Sequence, residues 1–166
     1  MNKIEVYTYI QEIIKELTDV DNVIMADPDA ASPTTAYCSV FISNTVNNIA
    51  SPIITDTYIA ADEKISINYS SLVKNEIVLN FYGKNSLDNA NKIYNSSYME
   101  NVKSKSYQKD IYIDSIGSII NLTSLQSSNF EERAKISIFV KYKVIANEII
   151  NSIEKFELDI KNKTRE

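Results

Sequence analysis

At 166 residues, with 44% apolar and 23% charged side chains, the chain has the size and composition of a globular domain built on one hydrophobic core. Its net charge is −5, and Lys and Arg are interspersed with acids, which argues against the clustered basic patch of a dedicated nucleic-acid binder. No histidine, one cysteine and two glycines leave no histidine-based acid–base catalysis, hydrolytic triad, internal disulfide or glycine-rich phosphate loop, and disfavour most zinc sites.

Residues 1–7 interrupt their apolar side chains with charge, unlike a signal peptide, and no apolar run approaches the length of a membrane span. Ile4, Tyr7, Ile10, Ile13, Ile14 and Leu17 recur at helical spacing, with Glu5, Glu12, Lys15 and Glu16 on the wet side. This predicts an amphipathic helix over Lys3–Leu17, ended by Asp19 and Asp21. A short strand is expected over 22–26, then a turn or loop over 27–33, punctuated by Asp27, Pro28, Asp29 and Pro33.

Residues 36–42 read as a strand apolar on both faces, hence central in a sheet. Cys38 lies on the face of Ala36, Val40 and Ile42. Without a histidine to activate it, it reads as a small buried hydrophobe rather than a nucleophile. The Asn-rich stretch 44–51 reads as loop. Two strand-like segments follow, Ile53–Ile59 and 64–70, joined by four residues that suit a hairpin. With few large apolar residues, this hairpin is either an ordinary sheet edge or a projection from the core. In the second case Ile53, Ile54, Tyr58 and Ile59 are candidate contact residues.

Residues 76–82 form a further strand, with Ile77, Leu79 and Phe81 inward and Gly83 closing it. Ser86 is the expected N-cap of a helix running to Lys103, its buried stripe made of Leu87, Ala90, Tyr94, Tyr98 and Val102. A short strand at 111–113 and an irregular apolar stretch at 116–125 precede the clearest element of the chain. There Ala134, Ile136, Ile138, Val140, Tyr142 and Val144 alternate strictly against Arg133, Lys135, Ser137, Lys141 and Lys143, with Phe139 the one apolar residue on the second face. Residues 146–153 are ambiguous between a helical turn and a loop. Phe156, Leu158 and Ile160 alternate in a last expected strand, and 162–166 read as a polar tail.

Helix, strands, helix, strands predicts an α+β fold: a mixed, mainly antiparallel β-sheet with two α-helices packed on one face, in a single domain over 1–161. The paired acids Asp27 and Asp29, and Asp62 and Glu63, are conceivable metal ligands, but neither has the calcium-loop pattern, and turn chemistry explains both. No residue set suggests a cofactor, and an enzymatic role is disfavoured.

Several local signatures, in this order, resemble the neck or tail terminator proteins of long-tailed bacteriophages and phage-derived tail particles. They are the amphipathic first helix, Pro33-Thr34-Thr35-Ala36-Tyr37 ahead of a strand, Ile77-Val78-Leu79-Asn80-Phe81-Tyr82-Gly83 before a helix containing Ala90, and Phe130-Glu131-Glu132-Arg133-Ala134 leading into the long strand. The resemblance implies a structural protein without cofactor. It would form a homo-oligomeric ring of six copies on the head-proximal end of the tail tube, in a virion assembled in the bacterial host cytoplasm. Its partners would be the tail tube protein, the neck or connector proteins and possibly a tail sheath, with DNA only passing through the lumen and no membrane involved. A stack of rings has no intrinsic end, so a cap must match the tube on one side and differ on the other. Under this reading Glu131, Glu132, Arg133, Lys141 and Lys143 join the hairpin residues as candidate interface positions. Arg133 is expected to tie Glu131 or Glu132, within or between subunits. Lys141 and Lys143 would lie on a solvated face, or meet an acidic neighbour or the DNA channel. The alternatives are an adjacent head–tail joining protein or, in a different class, a small soluble ligand- or peptide-binding module.

Overall fold

The computed structural model describes residues 2–26, 33–59, 64–126 and 129–151. Asp27, Asp29, Asp62, Glu63, the hairpin connection 60–63, the expected strand of Phe156, Leu158 and Ile160, and the tail 162–166 lie outside the described residues.

Helix α1, Lys3–Leu17, begins with a reciprocal cap. Asn2 Oδ1 accepts from the Glu5 backbone N–H at 3.0 Å, while the Asn2 N–H donates to Glu5 Oε2 at 2.8 Å. Its apolar stripe is buried through Val6, Tyr9, Ile10, Ile13 and Ile14. Strand β1, Asn22–Met25, pairs in parallel with β2, Tyr37–Asn48, and β2 pairs antiparallel with β4, Lys64–Tyr82. Strand β3, Ile53–Ile59, pairs with the first seven residues of β4 as the hairpin reading expects.

After β4, Gly83 (φ +88°) turns the chain. A Cβ there would sit 3.1 Å from Ala36 Cα and Cβ, so both the backbone angle and the close approach require glycine. The next helix begins one residue earlier in role than expected: Asn85, in the left-handed region at φ 65°, is the N-cap, and Ser86 is the buried first residue. The continuous helix expected to Lys103 is three pieces: α2, Ser86–Tyr94; a 3-10 turn, Ser96–Tyr98; and α3, Glu100–Lys109, with Met99 extended between the last two. The run Asn95, Ser96, Ser97 competes for its own backbone and breaks the helix. The expected buried stripe breaks with it, since Ala90 and Val102 are buried but Leu87, Tyr94 and Tyr98 are exposed.

Strand β5, Ile111–Ile116, and the short β6, Ile120–Asn121, pair antiparallel with β9, Arg133–Asn151. Strands β7, Ser124–Gln126, and β8, Asn129–Glu131, make a separate small ribbon. The main sheet is thus seven-stranded in the order β1-β2-β4-β9-β5, with β3 added on β4 and β6 on β9. It is mixed but mostly antiparallel, as expected. Its core face lies under the helices: Cys38, Val40, Ile77, Leu79, Phe81, Ala134, Ile136, Ile138 and Val140 are fully buried against α1, α2 and α3. Tyr9 reaches through this layer, its hydroxyl 2.6 Å from Ser106 Oγ, and burial pushes its pKa up. Surface pairs Glu12–Lys109, Glu16–Lys105 and Asp19–Lys92 fasten α1 and its C-terminal end to α3 and α2.

Two strand limits differ from the sequence reading. Residues 64–70 and 76–82 are one strand, and residues 146–151, read as helical turn or loop, continue β9. The cause is the ladder: nineteen consecutive pairs run from Lys64 opposite Asn151 to Tyr82 opposite Arg133, and this non-local pairing overrides weak local propensity. Likewise 44–48, read as loop, extends β2 past a register shift between Ile42 and Val46.

Candidate assembly surfaces

The nineteen-pair ladder is longer than the helical layer that covers it. From about Val73 and Tyr142 onward, β4 and β9 are sandwiched under helices and flanked by β2 and β5. In the other half, β3, β4 and β9 run on as a three-stranded arm. Seven residues at about 3.4 Å each make it roughly 24 Å long. No helix covers either side among the described residues, and Ile53 (65% exposed), Ile54, Tyr58, Ile145, Ile149 (62%) and Ile150 are all exposed. Such isoleucines are an unusual concentration of apolar surface for a chain this size.

The register assigns the arm two faces. Ile54, Tyr58, Ile65, Ile67, Tyr69 and Ile150 share the face that, farther along the same strands, is Val73, Ile77, Leu79 and Phe81. Asp56 and Glu148 sit among them, opposite Ile67, and Tyr69 donates to Glu148 Oε2 at 3.0 Å. Ile53, Ile59, Ile145 and Ile149 lie on the other face. The core face of the sheet therefore continues into the arm with no cover among the described residues. Sequence reasoning singled out Ile53, Ile54, Tyr58 and Ile59 and missed Ile145, Ile149 and Ile150. No local pattern marks them: the apolar alternation of 134–144 breaks at Ile145, and Glu148 then falls on the face of Tyr142 and Val144.

The other candidate residues lie elsewhere on the same sheet. At the far end from the arm, Arg133 stacks its guanidinium 4.5 Å from the Tyr82 ring centre and donates to the Tyr82 hydroxyl at 3.1 Å. Tyr82 in turn stacks on Tyr37, with centres 4.4 Å apart. Glu132 closes the neighbouring corner: its carbonyl accepts from the Gly83 N–H at 2.9 Å and its carboxylate from the Asn85 N–H at 2.8 Å. Within the chain, Arg133 is thus seated on tyrosine, and Glu132 supports the start of α2. Glu131 ends β8 and is half-buried.

Lys141 and Lys143 point to the open face of the sheet, opposite the helices. Lys141 is bonded to Asp114, which a register shift in β5 between Ile113 and Ser115 brings into reach, and Lys74 bonds the same carboxylate at 2.7 Å. The Lys141 and Lys74 ammonium groups hold the Asp114 carboxyl below its ordinary range. Lys74 also lies 4.8 Å over the Phe139 ring. Lys143 is exposed. The open face is not wholly polar, since Phe41, Val78 and Phe139 lie on it beside the charges.

The remaining chemistry is sparse. Cys38 is wholly buried, and burial pushes its thiol far above the range of a reactive thiolate. Among the described residues no group of three or more Cys, Asp or Glu side chains is placed to hold a metal, and no helix is long and apolar enough to cross a membrane. The described residues thus present an open sheet with helices on one side and an apolar arm. The chain belongs to the phage neck terminator protein family, whose profile matches residues 5–166. It is a structural tail-terminator component of a phage or phage-like particle. No curated protein matches the sequence. Among solved structures it is similar to the sheath/tube terminator of an extracellular contractile injection system, PVC, in its extended state, at 9% identity and a TM-score of 0.45. That likeness covers 99% of this chain and 65% of the other, so the chain spans about two thirds of that protein's length, and it is too loose to carry an argument about function.

Proposed function

We propose that this chain forms a closed ring, six copies around, on the head-proximal end of a phage tail tube, stopping tube growth and presenting a new surface to the neck proteins. The ring encircles a lumen through which DNA passes, and the particle is assembled in the host cytoplasm. Residues 1–161 act as one domain, with 162–166 as a tail. The observation that carries this reading is the arm, an extension of the core sheet whose apolar residues are left exposed among the described residues. A part that must recognise copies of itself and a tube rim needs such surfaces, and it needs no cofactor. In this reading Ile53, Ile54, Tyr58 and Ile59 lie in contacts between subunits or with the tube. Glu131, Glu132 and Arg133, at the opposite end of the ladder, lie in contacts between subunits or with a partner protein. Lys141 and Lys143 belong to the open face, beside the neighbouring subunit or the lumen.

The test is electron microscopy of particles made without this chain. Tails of uncontrolled length, or tails that do not join heads, are expected. Tails of normal length attached to heads overturn the proposal. Class averages of the ring, viewed down its axis, count the copies.

A further inference from the structure

A ring closed by rotation needs two different patches on each subunit, one fitting the other on the next copy. The arm is one such patch. The best candidate for its counterpart runs along β5, at the far side of the sheet. Strand β5 ends the strand order, so its outer edge has no partner among the described residues. Beside it are two adjoining hollows of about 280 and 430 Å³ that share Ser97 and Ile113 in their walls and together make up a trough beside the strand. Four tyrosines surround it: Tyr94, Tyr98 (76% exposed), Tyr107 (78%) and Tyr112. Tyrosine in a cluster of this kind is the residue type that protein interfaces concentrate.

We propose that the arm of one copy seats in the β5 trough of a second copy. This rests on the ring reading above and assigns the contact that would build it. Size and chemistry both favour the pairing. Three strands about 4.8 Å apart make an arm roughly 10 Å across the backbone and 24 Å long, and the six residues of β5 make a trough about 20 Å long. The arm face offers Ile54, Ile65, Ile67 and Ile150 together with Tyr58 and Tyr69, and the trough offers aromatic rings for them to pack on. The carboxylates of Asp56 and Glu148 lie on that arm face, and Lys103 lines the trough, where the Asp114 carboxylate is already paired with Lys74 and Lys141. Lys103 is held only by an exposed pair with Glu100 at 2.8 Å, which it exchanges at little cost. The arm face carries two carboxylates that repel their own copies, so the contact is head-to-tail and repeats into a ring rather than stopping at a symmetric dimer. A contact this narrow is weak singly and gains its strength when the ring closes.

Cysteine cross-linking of the full chain tests it. Cys38 is wholly buried and stays out of the reaction. An Ile54→Cys chain and a Ser97→Cys chain, one carrying a tag that changes its mass, are mixed under mild oxidation. A mixed disulfide dimer is expected, and Ile54→Cys together with Phe41→Cys, on the open face, is expected to give none. The double variant Ile54→Cys/Ser97→Cys is expected to give a ladder that ends at one closed species. Tyr98→Ala combined with Tyr107→Ala, both at exposed positions, is expected to lose the linkage with an unchanged circular dichroism spectrum. No mixed dimer, or equal linkage to Phe41→Cys, overturns the pairing. A chain that does not link yet restores tails of normal length to particles lacking it overturns this pairing and leaves the terminator reading standing. A chain that links as expected, but whose removal leaves tails normal, does the reverse.

Discussion

The same two strands make the most buried and one of the most exposed parts of this molecule. In the half of β4 and β9 that lies under the helices, Ile77, Leu79, Phe81, Ile136 and Ile138 are essentially free of solvent contact. In the other half the register is unbroken and the side chains are of the same kind, yet Ile145, Ile149 and Ile150 stand in water. The β4–β9 ladder runs through both halves, but the covered half adds β2, β5 and a layer of helices, whereas β9 in the arm has no second neighbour among the described residues. Hydrogen bonds of a ladder contribute little net stability beyond what water would provide, whereas apolar area removed from water contributes about 25 cal/mol per Å². The covered half therefore holds the fold, and the other half is apolar surface that no described residue covers.

The largest effect that distinguishes the halves is expected in the core. Phe81→Ala empties a fully buried site between the sheet and the helices and should cost about 3–5 kcal/mol in denaturant unfolding. A loss under 1 kcal/mol would mean that the covered half is not what stabilises the chain.

A smaller effect is expected where the helical layer meets itself. Tyr9→Phe keeps the ring but leaves Ser106 Oγ, itself buried, without the hydroxyl 2.6 Å away. An orphaned buried hydroxyl costs about 1–3 kcal/mol. The pair Tyr9→Phe with Ser106→Ala should recover much of that loss, and a double variant no better than the single would show that the hydroxyls do not depend on each other.

Much of this division was legible in the sequence. Strict alternation over 134–144 named six residues that are buried or half-buried, and helical spacing over Lys3–Leu17 named Ile10, Ile13 and Ile14 of the buried stripe but missed Val6 and Tyr9 and included Ile4, which is exposed. What failed were elements decided by distant partners. Ser70, Ser71, Lys74 and Asn75 look like a break, and β4 runs through them only because β9 lies alongside. Tyr94 and Tyr98 fit a buried helical stripe until the break at Asn95 to Ser97 turns the helix and leaves them outside. The arm was visible as a hairpin poor in large apolar residues. Its third strand was not, because nothing local in 146–151 says strand. The trough along β5 carried no motif, since it is assembled from three helical pieces and an edge strand.

On the open face, the Asp114 clamp sets a modest pH dependence. Hydrogen bonds from Lys141 and Lys74 hold its folded-state pKa below the unfolded value, so its contribution is complete above the unfolded pKa, near pH 4, and is lost as pH falls through the lower folded value. The group is largely solvated, so the effect is small. Asp114→Asn should flatten that acid limb of the stability curve and leave the curve near neutrality almost unchanged. An acid limb identical to that of the parent chain would show that the two lysines do not act on this carboxylate.

The smallest expected effect on stability is the most informative about function. Ile149→Ser changes a residue that is 62% exposed and touches no part of the covered core, so unfolding of the single chain should shift by no more than about 0.5 kcal/mol. If the arm is surface reserved for a partner, the same substitution should weaken ring formation, read by sedimentation at matched concentration, and lengthen or detach tails in particles that carry it. A core substitution of small cost, Ile138→Val, should do the opposite, lowering stability by about 0.5–1.5 kcal/mol while leaving assembly intact. The two substitutions separate what the ladder does under the helices from what it does beyond them. Loss of stability without loss of assembly at Ile149 would place the arm within the fold and remove it from the interface.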